Sequence, residues 1–93
     1  MELGTLYMTV GVNNLVAANM EFAEHVDKSI DRYLSQDWGD LSADDKESND
    51  AAVANGEERI LAAYKHPVHQ EWRIWIITEW DRSVTTILLP DEY

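Results

Sequence analysis

Apolar residues recur along this chain with two different periods, and the switch falls near Gly56. Before it, Phe22, Val26, Ile30 and Tyr33 stand at i, i+4, i+8 and i+11, with Ala23 and Leu34 widening the stripe. Glu21, Glu24, Asp27, Lys28 and Asp31 occupy the opposite face, so the spacing predicts an amphipathic helix from about Met20 to Gln36. Ser42 followed by Asp45 resembles a capping box with Asp in place of Glu or Gln, and Asn55-Gly56 is a stop signal. A second helix is therefore predicted from Ala43 to about Asn55. Its apolar side is thin (Ala51, Ala52, Val53), so it covers the core lightly and stays mostly wet. Upstream, Leu3, Thr5, Tyr7 and Thr9 alternate with Gly4, Leu6, Met8 and Val10, which predicts a strand over the first ten residues. Gly11 and Asn13-Asn14 punctuate, and Leu15 to Ala18 fits one or two helical turns.

After Gly56 the period becomes two. Arg59 to Tyr64 reads as a strand, and His66-Pro67-Val68-His69 as a connecting loop. Trp72 to Thr78 is apolar on both faces, with Trp72, Ile74 and Ile76 on one and Trp75 and Ile77 on the other. Such a strand belongs at the centre of a sheet, covered on both sides at least in part, which makes Trp72 or Trp75 a core residue. Trp80 to Ser83 forms a turn in which Arg82 is expected to pair with Glu79 or Asp81. Val84 to Leu89 is the last strand, stopped by Pro90. A strand, helices and then three strands on short connections predict one α+β domain over residues 1–93. Its antiparallel sheet of about four strands packs against two to three helices. The second face of that sheet is left for another copy of the chain, or a partner, to cover.

Charge changes the picture most. The 93 residues carry 18 Asp and Glu against 7 Lys and Arg, a net charge of −11. No basic patch exists to neutralise phosphates, which excludes direct nucleic-acid binding. Four Trp and four Tyr make a core-forming composition, and the absence of Cys excludes disulfides and thiol chemistry. No apolar run reaches the length of a membrane span, and Met1-Glu2-Leu3-Gly4 lacks a signal-peptide pattern. The expectation is a soluble intracellular protein.

The acid is concentrated. Between Asp37 and Glu58 stand Asp37, Asp40, Asp44, Asp45, Glu47, Asp50, Glu57 and Glu58, with Lys46 the one base. Glu24, Asp27 and Asp31 add a helical stripe at i, i+3 and i+7. Like charges three or four apart on a helix lie about 5–6 Å from each other and cost roughly 0.2–0.5 kcal/mol per pair. That step is close to the phosphate spacing of a nucleic-acid strand. Two readings follow: a solvated acidic face that keeps the protein soluble, or a nucleic-acid-like surface offered to a basic protein. Trp38, beside Gly39 amid the acids, is expected to be partly exposed and to serve as an apolar anchor of such a contact.

Other chemistry is weaker. Asp40, Ser42 and Asp44 match EF-hand positions 1, 3 and 5, but Asp45 stands where Gly is needed and Ala51 where Glu is needed. His66, His69 and Glu71 flank Pro67 in a loop and lack metal-site spacing, so they read as surface residues, and His25 as a polar-face residue. No nucleophile stands beside a base and no Gly-rich phosphate loop is present. No catalytic residue, metal ligand or cofactor is assigned, and an enzyme is not expected.

Two strings, Asp37-Trp38-Gly39-Asp40-Leu41-Ser42 and the run from Ile74 to Pro90, resemble a family of small acidic proteins carried by bacterial plasmids, integrative elements and phages. Anti-CRISPR inhibitors, notably of type I systems, belong to proteins of this kind. The resemblance implies that role, in the cytoplasm of a bacterial host, with a CRISPR effector complex as partner. It supplies no site residue. The residues themselves point to a contact through Asp37, Trp38, Asp40, Asp44, Asp45, Glu47 and Asp50, flanked by Glu24, Asp27 and Asp31, by a monomer or weak homodimer. The rival expectation is a self-associating regulatory or antitoxin-like domain that works through its exposed sheet face.

Overall fold

Every one of residues 1–93 is described by the computed structural model. In chain order the elements are β1 (Thr5–Met8), α1 (Val10–Ala18), α2 (Met20–Leu34), α3 (Ala43–Asn55), β2 (Ile60–Lys65), β3 (Arg73–Thr78) and β4 (Val84–Leu88). A 3-10 turn at Pro90–Glu92 closes the chain. Four strands in the order β1-β4-β3-β2 form one sheet, and with three helices the fold is α+β, as the periodicity predicts.

The sheet is mixed rather than wholly antiparallel. β2 pairs antiparallel with β3, and β3 with β4, but β1 lies parallel to β4 with Tyr7 opposite Thr86. The reason is topological. The three helices carry the chain from the end of β1 back to the start of β2, so these two strands share a direction, as a crossover requires. Two antiparallel steps then give β4 the direction of β2, and hence of β1.

The start of the chain also departs from the expected ten-residue strand. β1 stops at Met8 because Thr9 caps α1, its hydroxyl accepting from the Val12 N–H at 3.4 Å. Glu92 completes this helix start from the far end of the chain, taking the Gly11 N–H at 3.0 Å and the Thr9 hydroxyl at 2.5 Å. Those hydrogen bonds, the Thr9 one foremost, hold the Glu92 carboxyl below the usual range. A carboxylate at a helix N-terminus is stabilising for the same reason. Gly11, Asn13 and Asn14 therefore lie inside α1 instead of interrupting the chain.

Phe22, Val26 and Tyr33 of α2 and Val12 of α1 pack over Ile60, Ala62, Tyr64, Ile74, Ile76 and Ile87 of the sheet. Of the stripe read from the sequence, Phe22, Val26 and Tyr33 are buried and Ala23 and Ile30 are half-buried, whereas Leu34 at its end is exposed. α3 contributes little, burying only Asn49 and Ala52, as its thin apolar side predicts. β3 is an inner strand. Its helix-side residues Ile74, Ile76 and Thr78 are buried, whereas on the other face Ile77 is buried and Trp75 is only half-buried. Trp75 meets the Tyr93 ring at 5.4 Å, and Trp72 is a half-buried flank of the helix-side core. Of the two tryptophans expected to supply a core residue, Trp72 packs against the core half-buried, and Trp75 is half-buried on the other face.

Candidate acidic interface

The acidic segment begins where α2 ends. Gln36 turns the chain at a φ of 63°, and Asp37 then receives the Arg32 guanidinium on both oxygens, at 2.7 and 3.2 Å. This pairing, above all, holds the Asp37 carboxyl below its ordinary range. Asp37 also takes the Gly39 N–H at 3.1 Å, and its main-chain carbonyl accepts the Tyr64 hydroxyl at 2.7 Å.

Trp38 corrects the expectation most sharply. It is 2% exposed, packed edge-on against Tyr33 at 5.4 Å, with Nε1 donating to Oδ1 of Asp50 at 2.9 Å. A buried indole N–H needs an acceptor, and α3 supplies one. Trp38 is a joint between α2, α3 and the sheet and has no surface to offer a partner.

The residues around it seal the outer edge of β2. Asp40 donates its N–H to the Ala63 carbonyl at 2.7 Å, and the Trp38 carbonyl receives the Ala63 N–H at 3.4 Å. Asp40 Oδ2 takes the Lys65 N–H at 2.8 Å. Gly39 adopts a φ of 75° here, against the Ala63 carbonyl and the Tyr64 ring, where a Cβ has no room. One step along, Asn49 of α3 donates to the Leu61 carbonyl at 2.8 Å and accepts the Leu61 N–H at 3.4 Å. An unpaired edge invites strand addition, and side chains close this one.

Three of the proposed contact acids, Asp37, Asp40 and Asp50, are exposed but bonded into the fold. Asp44, Asp45 and Glu47 are exposed on α3, and Glu24, Asp27 and Asp31 on α2. Asp44 and Asp45 lie in the first turn of their helix, where its dipole favours negative charge. Asp45 lines a shallow depression with Leu41, Ser48, Asn49, Arg59 and Leu61, to which Asp44 and Glu47 do not contribute. The α2 stripe lies opposite the face made by Phe22, Val26, Ser29 and Tyr33. Arg32–Asp37 is the one ion pair between a carboxylate and a Lys or Arg, so the outward acids keep their field.

Arg82 is not the expected partner of Glu79 or Asp81. Its guanidinium donates instead to the carbonyls of Ala52 at 2.8 Å, Glu58 at 2.6 Å, Glu79 at 3.1 Å and Trp80 at 3.1 Å. It ties the β3–β4 turn to the end of α3, whose last turn has orphan carbonyls and no basic residue of its own.

The histidines are more integrated than expected. His25 is buried, its Nε2 lies 3.3 Å from the Tyr64 carbonyl, and burial lowers its pKa. His66 Nδ1 accepts from the Val68 and His69 N–H groups at 3.1 and 2.9 Å, which organises the loop. His69 stacks on Trp72 at 4.3 Å and reaches Glu21 at 3.1 Å. The burial of His25 and Asn49 was readable in principle. Both are polar residues on the core side of their helices, His25 three before Lys28 but beside Phe22, Val26 and Ser29, and Asn49 beside Ala52 and Val53.

Comparison with protein-family models, with curated proteins and with solved structures gives no match to this chain.

Proposed function

We propose that this protein is an anti-CRISPR inhibitor that binds a CRISPR effector complex and blocks capture of target DNA. Its working surface presents carboxylates in place of phosphates. The observation that supports this reading best is electrostatic: on a chain of net charge −11, Arg32–Asp37 is the one carboxylate pair with a Lys or Arg. CRISPR effectors hold nucleic acid in positively charged channels that read backbone rather than sequence. A rigid domain with outward acids fits such a channel without carrying sequence information. Asp44, Glu47, Glu24, Asp27 and Asp31 supply the charge, with Asp45 beside them. Asp37, Trp38, Asp40 and Asp50 hold the segment in shape. The protein is encoded on a phage or other mobile element in this reading and acts in the host cytoplasm as a binder, with no catalytic step.

The test is a pull-down of purified type I effector complexes on the tagged protein at low and moderate salt. Retention at low salt that falls steeply as salt rises supports the reading, because a charge-driven contact is screened. Failure to retain any complex at low salt contradicts it.

A further inference from the structure

The two edges of the sheet are unlike. The β2 edge is sealed by Trp38, Asp40 and Asn49, but β1 has a neighbour on one side only. Thr5 and Thr9 donate to the Ser83 and Ile87 carbonyls of β4, both at 3.0 Å. Since main-chain groups alternate along a strand, those of Leu6 and Met8 point away from the sheet. Their side chains lie on the helix side and are 45% and 43% exposed. They form one wall of an apolar groove completed by Val16, Ala23, Val26 and Ile30, with Asp27 at its rim. An apolar edge left open in this way, even a short one, is a template for another strand.

From this geometry we infer that β1 is a docking edge for a second copy of the same chain, paired antiparallel about a two-fold axis at Tyr7. Leu6 then faces Met8 of the other copy. In an antiparallel pair this is the register in which the outward N–H and C=O groups of both residues are exchanged, giving four main-chain hydrogen bonds. The axis is perpendicular to the sheet, so both helix layers stay on one side and the two grooves close against each other. A contact of this kind uses the same patch on both copies and ends at two. The sealed β2 edge leaves no second strand-pairing site for further growth.

Charge selects a copy of this chain as the occupant. In residues 1–20 the only charged side chain is Glu2, whereas the segment from Asp37 to Glu58 carries eight acids and the single base Lys46. That segment borders β2, at the other end of the sheet. Pairing through β1 keeps the Asp37–Glu58 segments of two strongly acidic copies apart and leaves Asp27 at each groove rim as the acid nearest the contact. At about 4.8 Å per strand, the two acidic ends of an eight-stranded sheet lie on the order of 35 Å apart, several Debye lengths at physiological salt. The edge is only four residues long, below the usual size of a stable interface, so the pair is weak and forms at high protein concentration.

Sedimentation equilibrium of the full chain over a wide concentration range tests this. The expected result is a mass rising from 10.7 kDa toward, and not beyond, twice that value, and rising further when salt screens the net repulsion. Hydrogen exchange of the wild-type protein should slow at the Leu6 and Met8 amides as concentration rises, with Thr5 and Tyr7 unchanged. Leu6→Pro removes an outward N–H without touching the β4 ladder and should return the mass to that of one chain. Met8→Lys should do the same and keeps the test open if Leu6→Pro fails to fold. A mass that stays at one chain at high concentration and high salt overturns the inference. So does growth past two copies, or a dimer in which Leu6 and Met8 amides exchange as in dilute solution. None of these outcomes depends on an effector complex, so they leave the inhibitor reading to be judged separately.

Discussion

Nε1 of Trp38 lies 2.9 Å from Oδ1 of Asp50, and that bond ties an exposed acid of the charged segment to a buried indole. Asp50→Ala leaves the buried indole N–H without an acceptor and should cost about 1–3 kcal/mol, while Asp50→Asn, which keeps an oxygen there, costs less. Chemical denaturation of both variants checks the order. Equal midpoints would show that water replaces the carboxylate and that Trp38 is held by packing alone.

Half-burial of Trp75 sets a second expectation. Ile76→Ala, on the helix side, should cost about 2–5 kcal/mol, the range for emptying a tight core site. Trp75→Ala uncovers a face covered here by Tyr93 and should cost less than Ile76→Ala despite removing more atoms. The two denaturation midpoints decide it, and the reverse order would mean that the outer face is the better-packed one.

Arg82 replaces an ion pair with carbonyl contacts. Arg82→Ala releases the Ala52, Glu58, Glu79 and Trp80 carbonyls together and should destabilise by about 1.5–3 kcal/mol, the range for hydrogen bonds to a charged donor. Glu79→Gln and Asp81→Asn, by contrast, should leave the Arg82 contribution intact in a double-mutant cycle. Coupling between Arg82 and either acid would restore the pairing expected from sequence.

Stability should fall as the solution is acidified in two separate windows. His25 is buried with its pKa lowered from 6.5, so the unfolded chain takes up a proton first. The neutral ring's contribution is full above 6.5 and is lost as pH drops from there toward the folded value. His25→Gln should remove that part of the pH dependence. Asp37, with a pKa lowered from 3.8 chiefly by Arg32, contributes above 3.8 and loses its contribution as pH falls through its folded value. Thermal melts between pH 8 and pH 2 on wild type, His25→Gln and Asp37→Asn separate the two. A wild-type melt flat from pH 7 to pH 5 would contradict the buried, neutral His25.

What the sequence made legible follows the strength of each local signal. The α2 stripe and the Ser42 cap fix their helices to within two residues at every end, and β3 stands inside the sheet as its two apolar faces require. The direction of β1 was not legible. Four exposed residues carry no directional pattern, and the parallel pairing comes from the crossover. The length of α1 was hidden because Glu92, 81 residues from Gly11, helps to cap it. Within the candidate interface, position alone could not separate acids free of structural bonds from exposed acids bonded into the fold. Asp44 and Asp50 stand on the same helix, yet Asp50 alone faces an indole N–H.

That separation sharpens the test of the proposed function. Reversing Asp40 would break its bond to the Lys65 N–H, so charge reversal belongs at Asp44 and Glu47, which are exposed and make no ion pair. Asp44→Lys with Glu47→Lys relieves a like-charge i, i+3 pair. The new opposition to the helix dipole costs about 0.3–1 kcal/mol, too little to unfold the domain. Against Arg and Lys in a channel, each reversal turns attraction into repulsion, which costs several kcal/mol where the contact is desolvated. The deciding measurement is DNA capture by a purified type I CRISPR effector complex with wild-type or doubly reversed protein added. Wild type should block capture, compete with target DNA and weaken as salt rises, while the folded double variant should no longer block. A folded double variant that blocks capture as well as wild type, or a wild type that never blocks it, would contradict the account.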